Sequence, residues 1–282
     1  PKDIKLSVAL ATYNEEDNIT VCLKSVKDLA DEIIVVDGSS VDNTRQLAKD
    51  LGARVIKTTN KPIFHINKNM AIDESRGEWI LQLDADEIIP PKLADEIQKL
   101  ISTDYLGYTG WKAKQEYPKD APKPVAYWIK RKNYFLGRVL KKSGQYPDPV
   151  IRLLKKGKAR LPAKDVHEQM EVDGFTAWLK HDMDHLATPT FSRYLQRENR
   201  YSSLTGQFLK ERGQKVNILS FINFMIIKPT STFLSMYLRH RGFKDGFPGF
   251  VFCLFSGIHH QLSFLKLWEL DKQSRDIDLK KD

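Results

Sequence analysis

An α/β fold, with a mostly parallel sheet covered by helices on both faces and a helical region following it, is what the sequence predicts. Three observations carry that expectation. Over the first hundred residues, short apolar runs alternate with segments whose apolar residues recur at helical spacing. Between about Thr103 and Val172 the alternation gives way to short aromatic and basic segments with turn signals at YPKDAPKP and GQYPDP, which read as antiparallel strands and loops. After Ala187 the pattern becomes helical and ends in two strongly apolar runs.

Taken in order, IKLSVALA is a buried-strand run. DNITVCLKSVKDL then repeats Ile19, Leu23, Val26 and Leu29 on one helical face, with Asp17 or Asn18 as its cap. EIIVVD is the second strand, SVDNTRQLAKDLG a helix closed by Gly52, and ARVIKT the third strand. HINKNMAIDESRG reads as a helix ended by Gly77, EWILQLD as the fourth strand, and PPKLADEIQKLI as a helix with proline in its first turn. Strand and helix alternating at this spacing imply right-handed crossovers and a parallel sheet.

FSRYLQRENRYSSLTGQFLKERG carries an apolar and aromatic stripe at helix spacing. The runs ILSFINFMII and FPGFVFCLFSGI are short of the ~20 residues a spanning helix needs, Pro229 and Pro248 interrupt them, and RHRGFK lies between. Such a composition suits helices lying in a membrane interface beside anionic lipid; a helical core or an oligomer contact is the alternative.

With 282 residues, 41% hydrophobic and 29% charged, the chain is long enough for a large core and ordinary for a globular protein, which argues against disorder. The net charge of +9 is uneven: Trp111 to Asp165 holds sixteen Lys or Arg against four Asp or Glu. That excess suggests an anionic partner, whether phosphate, acidic lipid or nucleic acid, unless it is a solvated basic surface. Cys22 and Cys253, far apart in apolar surroundings, favour a reducing compartment over a disulfide framework. The first residue is Pro1 and no signal-peptide pattern follows it, so secretion finds no support.

In an open parallel sheet, ligands gather at the carboxyl ends of strands. Polar clusters stand at three such ends: TYNEE, DGSS and DADE. The last packs Asp84, Asp86 and Glu87 into four residues, which repel unless a cation, water or a positive helix end lies beside them. In extended chain Asp84 and Asp86 would face the same way and could share a divalent ion holding a diphosphate; alternatively Asp86 and Glu87 favour the helix start at Pro90. Asp37 could accept from a base or ribose, or brace the GSS turn, while Tyr13 offers a flat face and Glu15 an acceptor. Neither a G-x-G-x-x-G nor a P-loop pattern occurs, which disfavours dinucleotide enzymes and P-loop NTPases. HEQME is not the H-E-x-x-H of zinc proteases, and HDMDH places His181 and His185 where they could bind metal if helical.

SVALATYNEEDNI, IIVVDGSSVDNT and NKNMAIDESRGEWILQLDADE, with VHEQM, KHDMDH and YLRHRGFKDG more loosely, resemble the inverting family 2 glycosyltransferases of GT-A fold. The later segments look like bacterial lipopolysaccharide core beta-1,4-glucosyltransferases. The resemblance implies a UDP-sugar donor held by Thr12, Tyr13, Glu15 and Asp37, with Lys68 where the family often has Arg, and Asp84 near the ribose or sugar. It implies Mg²⁺ or Mn²⁺ at Asp86, with His181 as a further ligand, although Glu87 stands where many relatives have a second Asp. Glu168 would be the base that deprotonates the acceptor hydroxyl, with His167 orienting it and Asp165 as the substitute.

The same resemblance divides the chain into a nucleotide-sugar-binding half (1–102), an acceptor-side catalytic part (103–187) and a C-terminal helical region (188–282). The expected partners are a UDP-sugar, a glycolipid acceptor and the anionic inner face of the plasma membrane, with the enzyme cytoplasmic and peripheral and without nucleic acid. A lipopolysaccharide core acceptor leads and a polyprenyl phosphate or diphosphate follows. A non-catalytic nucleotide-binding or membrane scaffold and a nucleic-acid binder are the competing classes.

Overall fold

The computed structural model describes residues 3–61, 63–162 and 169–278, with side chains described to residue 272. The chain forms two compact units, one of residues 1–132 and 147–186 and the other of 133–146 and 187–282.

The first unit is the α/β part. Strands β1 (Leu6–Thr12), β2 (Glu32–Asp37), β3 (Arg54–Lys57) and β4 (Trp79–Leu83) alternate with helices α1 (Glu16–Val26), α2 (Thr44–Asp50) and α3 (His65–Glu74); the two-residue β5 (Glu87–Ile88) and α4 (Pro91–Ser102) follow. β3, β2, β1 and β4 are neighbours in that order, all parallel. Further along the chain come β6 (Ala126–Phe135), β7 (Arg138–Val139), β8 (Asp148–Lys155), β9 (Ala159–Arg160), β10 (Glu171–Val172), β11 (Thr176–Trp178) and β12 (Met183–Thr188), of which β7 and the last residues of β6 and β12 belong to the second unit. The sheet continues from β4 through β8, β6 and β12 to β5, and β4–β8 and β8–β6 are antiparallel, as the broken pattern after Thr103 suggests.

Burial on both faces explains the near-continuous apolar strands. Leu6, Val8 and Leu10 of β1, with Val35 and Leu81, pack against Ile19 and Leu23 of α1, Ala48 of α2 and Leu93 and Ile97 of α4. Ala9, Ile34, Val36 and Ile80 pack on the opposite face against Ala71 and Ile72 of α3.

Local punctuation departs from expectation at two helix ends. α1 begins at Glu16, so Asp17 and Asn18 lie inside the helix and not at its cap. α3 ends at Glu74, and Gly77 serves a different purpose: a Cβ there would sit 2.7 Å from the Ser7 backbone nitrogen of β1. Gly52 does close α2, with φ at +84°.

In the second unit, α5 (Phe191–Glu211) is capped by Thr190, whose hydroxyl accepts from Arg193 N at 3.2 Å. α6 (Ile218–Ile222), started by an Asn217–Ser220 capping box, runs through a π turn into α7 (Lys228–Leu234) and a second π turn. A 3₁₀ turn, Gly242–Asp245, leads into α8 (Gly246–Asp278).

Pro229 and Pro248 therefore do not interrupt the apolar runs. Pro248 lies near the start of α8, and Pro229 lacks the N–H that would bond the Met225 carbonyl one turn back. Gln261 Nε2 of α8 donates to that carbonyl at 2.9 Å. Unbroken, the stretches Ile218–Arg239 and Gly242–Lys272 span 22 and 31 residues and are long and apolar enough to cross a membrane by length and composition.

α7 and α8 approach closely at Gly257, where an added Cβ would lie 2.7 Å from the Pro229 carbonyl oxygen. Gly257→Leu should therefore destabilise the helix pair by about 1–3 kcal/mol, read as a lowered denaturation midpoint.

Candidate active site

Backbone register levels the strand tips: Thr12 pairs with Asp37, and Leu10 with Leu83 just before Asp84. Asp37 is wholly buried, yet its carboxylate is well supplied with donors. Ser40 N (2.9 Å) and Arg45 Nη1 (3.0 Å) donate to one oxygen, and Ser40 Oγ (2.5 Å) and Thr12 Oγ1 (3.3 Å) to the other.

The adjoining loops are laced together. Asn14, at φ +55°, donates from its backbone to Ser40 Oγ and accepts from Val41 N, both at 2.9 Å. Glu15 N donates to Thr44 Oγ1, and Asn18 donates to the Glu15 carboxylate. Tyr13 stands out from this frame, 45% exposed, with room for a planar group on its ring.

At the tip of β4 the chain leaves the extended conformation. Glu87 N donates to the Asp84 carbonyl at 3.0 Å, closing a turn over Asp84–Asp86, so the expectation that the two aspartates point alike from an extended strand does not hold. Each has its own partners. Asp84 receives Lys68 Nζ at 2.5 Å and Arg152 Nη2 at 2.6 Å. Burial alone would raise its carboxyl, but Arg152 and Lys68 outweigh that and hold it well below the usual carboxylate range.

Glu87, fully buried, accepts from Arg152 at 2.7 Å, from Asp84 N at 3.0 Å and from Arg131 at 3.4 Å, while Arg152 Nη1 reaches Gln82 Oε1 at 2.5 Å. Glu87 thus braces the acidic turn. Cys22 Sγ lies 3.6 Å from the Asp84 carbonyl, and burial first, then the neighbouring carboxylates, push its thiol well up, so it is no nucleophile.

Asp86 meets His185 of β12, with Nε2 3.3 Å from Oδ2. Burial works against the charged carboxylate, but the hydrogen bond and charge of His185 prevail and lower its pKa. β12 brings His185 there because it pairs with β5, setting His185 opposite Glu87. HDMDH is accordingly not helical. His181 precedes the strand and is bound elsewhere: its Nδ1 lies 2.8 Å from Glu96 Oε2 of α4, whose carboxylate also accepts from Lys180 N and Tyr105 Oη.

Among the described residues no three His, Cys, Asp or Glu side chains form a ready-made metal cluster. Asp86 with His185 nevertheless fits a hard divalent ion. Adjacent ligands of an octahedral ion with bonds of ~2.1 Å lie about 3 Å apart, close to the separation seen here, and such an ion normally keeps its other positions for water and phosphate oxygens. The fit requires His185 in place of the expected His181.

Beside the Asp84 cluster is a cavity of about 250 Å³ bordered by Phe64, Lys68, Arg131, Arg152 and Gln169. Glu168, His167 and Asp165 lie outside the described residues. Sequence reasoning missed Arg152, Arg131 and Gln82, although a lone Arg within the apolar strand PVIRLL was a sign that a buried charge needed partners.

Residues 7–160 match the glycosyl transferase family 2 domain. The chain belongs to this family. As a family 2 glycosyltransferase it acts on sugar donors, and its mixed sheet with flanking helices is the GT-A fold. An uncharacterized glycosyltransferase of Rickettsia typhi is 29% identical over 285 residues, covering 97% of this chain and 90% of that protein. A lipopolysaccharide core biosynthesis glycosyltransferase of Rhizobium meliloti is 23% identical over 278 residues, covering 94% and 93%. Among solved structures, S. aureus TarS 1-349 is similar at a TM-score of 0.41 and 15% identity, covering 97% of this chain and 92% of that one. Glucosyl-3-phosphoglycerate synthase from Mycobacterium tuberculosis, crystallised with Mn²⁺, UDP and glucosyl-3-phosphoglycerate, is similar at 0.43 and 16%, covering 76% and 82%.

Proposed function

We propose that this glycosyltransferase is an inverting hexosyltransferase that moves a sugar, glucose foremost, from a UDP-sugar to a hydroxyl of a membrane-held glycolipid. The observation that carries the reading is the convergence on one sheet rim of the Thr12–Asp37 frame, the Lys68–Asp84–Arg152 cluster and the Asp86–His185 pair. Asp37 and Glu15 serve as acceptors for the nucleoside, and Tyr13 offers its ring to the base. Asp84, held ionised by Lys68 and Arg152, accepts from ribose or sugar hydroxyls.

Mg²⁺ or Mn²⁺, held by Asp86 and His185, would supply charge neutralisation for the departing diphosphate. Glu168 takes the proton of the acceptor hydroxyl as its oxygen bonds the anomeric carbon, while the opposite bond to the diphosphate breaks and UDP leaves. The Rhizobium meliloti relative favours a lipopolysaccharide core acceptor over one linked to polyprenyl phosphate. The basic stretch from Trp111 to Asp165 and the apolar C-terminal helices support a cytoplasmic enzyme lying against an anionic membrane face.

Following UDP release with manganese, a panel of UDP-sugars and extracted glycolipids tests the reading. Transfer with inversion is expected, with Glu168→Gln losing 10²–10⁴ in rate while still binding UDP. Native-rate transfer by that variant would remove Glu168 as the base, and no turnover with any UDP-sugar would leave a binding module.

A further inference from the structure

Where the two long helical stretches of the second unit meet, the chain reads RHRGFKDGF, Arg239 to Phe247. The 3₁₀ turn there is entered through Arg241 at φ +57° and left through Gly246 at φ +69°, so the bend is tight and defined. Buried Asp245 hooks the segment after β7 onto it: the carboxylate accepts from Lys141 N (3.1 Å), Lys142 N (2.8 Å) and Ser143 Oγ (3.2 Å).

With that acid occupied by backbone and hydroxyl donors, Arg138, Lys141, Lys142 and Lys244 border a cavity of about 360 Å³. Among the described residues, none of these four cations forms an ion pair with a carboxylate. Phe243 and Phe247 stand beside them, 47% and 74% exposed, and Ile226, Ile227, Leu234 and Leu238 are exposed along the helix that leads into the bend.

A bowl lined by four cations against the single buried carboxylate of Asp245, next to projecting aromatic rings at the end of apolar helices, matches the level at which lipid phosphates sit above acyl chains. We infer that this bend docks on an anionic bilayer, with headgroup phosphates in the bowl and Phe243 and Phe247 entering the acyl boundary. Charge complementarity selects this occupant. A neutral protein surface would desolvate four cations with only the Asp245 carboxylate as counter-charge, and a soluble phosphate would leave the aromatic rings unused. The inference rests on the membrane placement proposed above, for which it names the contact surface, and not on the transfer chemistry.

Flotation of the full chain with phosphatidylcholine vesicles, plain or enriched in phosphatidylglycerol, tests it. The parent should prefer the anionic vesicles. Lys141→Gln/Lys142→Gln/Lys244→Gln should weaken that binding on the order of a hundredfold, at roughly fivefold per cation. A control removing the same charge from exposed lysines of the first unit outside the basic stretch, Lys27→Gln/Lys49→Gln/Lys92→Gln, should bind as the parent does. Phe247→Ser, a single exposed change, gives a second reading should the triple variant misfold, and a loss of at least about tenfold is expected.

Anionic binding undiminished in the triple variant or in Phe247→Ser, or lost equally in the control, would overturn the bend as the docking surface while leaving the membrane placement standing. Failure of the parent to bind either vesicle would remove both. Full release by millimolar glycerol phosphate, or preference for an oligonucleotide over the vesicles, would also overturn it.

Discussion

Arg152→Met should lower stability by about 3 kcal/mol, because it removes the cation that Asp84 and wholly buried Glu87 share and leaves them Lys68 on one side and Arg131, 3.4 Å away, on the other. Arg152 is almost fully buried and is the common partner of Asp84, Glu87 and Gln82. The size of the loss comes from the partners left behind more than from the intrinsic value of the ion pairs. Arg160→Ala provides the contrast: its pair with Asp73 is 2.8 Å long but more than half exposed on both sides, so the change should cost less than about 1 kcal/mol. Denaturant unfolding distinguishes the two. Equal effects would mean that the Asp84 cluster is far better solvated than its geometry indicates.

Asp86→Ala should reduce UDP release by about 10²–10³, and His185→Ala should raise the manganese concentration needed for half-maximal activity at least about tenfold. His181→Ala should leave that concentration unchanged, since its ring is bound to Glu96 and not to the acidic turn. A metal requirement that follows His181 and ignores His185 would restore the ligand expected from sequence and remove the pairing observed here. Titration of activity against manganese in the three variants is sufficient.

What could be read in advance was whatever depends on neighbours along the chain. The alternation of strands and helices, the Gly52 stop, the proline-led start of α4 and the acidic strand tips are local patterns, and each is present. What could not be read depends on partners far off in sequence. Arg152 lies 68 residues from Asp84 and 70 from Gln82, so the neutralisation of the acidic turn had no local trace beyond one arginine in an apolar strand.

HDMDH carries no strong mark of helix or strand, and its pairing with β5, not the four-residue spacing of its histidines, decides which ring meets Asp86. Pro229 reads as a breaker because the sequence cannot show an amide from Gln261 arriving at the orphaned Met225 carbonyl. The turn at Asp84–Asp86 likewise follows from Glu87 being drawn to buried cations, which an extended reading of DADE does not foresee.

The parallel ladder has an evolutionary corollary. Since Thr12 stands across from Asp37 and Leu10 across from Leu83, the acid-bearing tips are indexed to main-chain pairing and not to the lengths of the segments between them. Insertions in those segments can drift, and with them the choice of sugar or acceptor, without disturbing the tips. Deleting one residue inside β4 would flip its register and carry Asp84 to the opposite side of the sheet, a change no loop could repair.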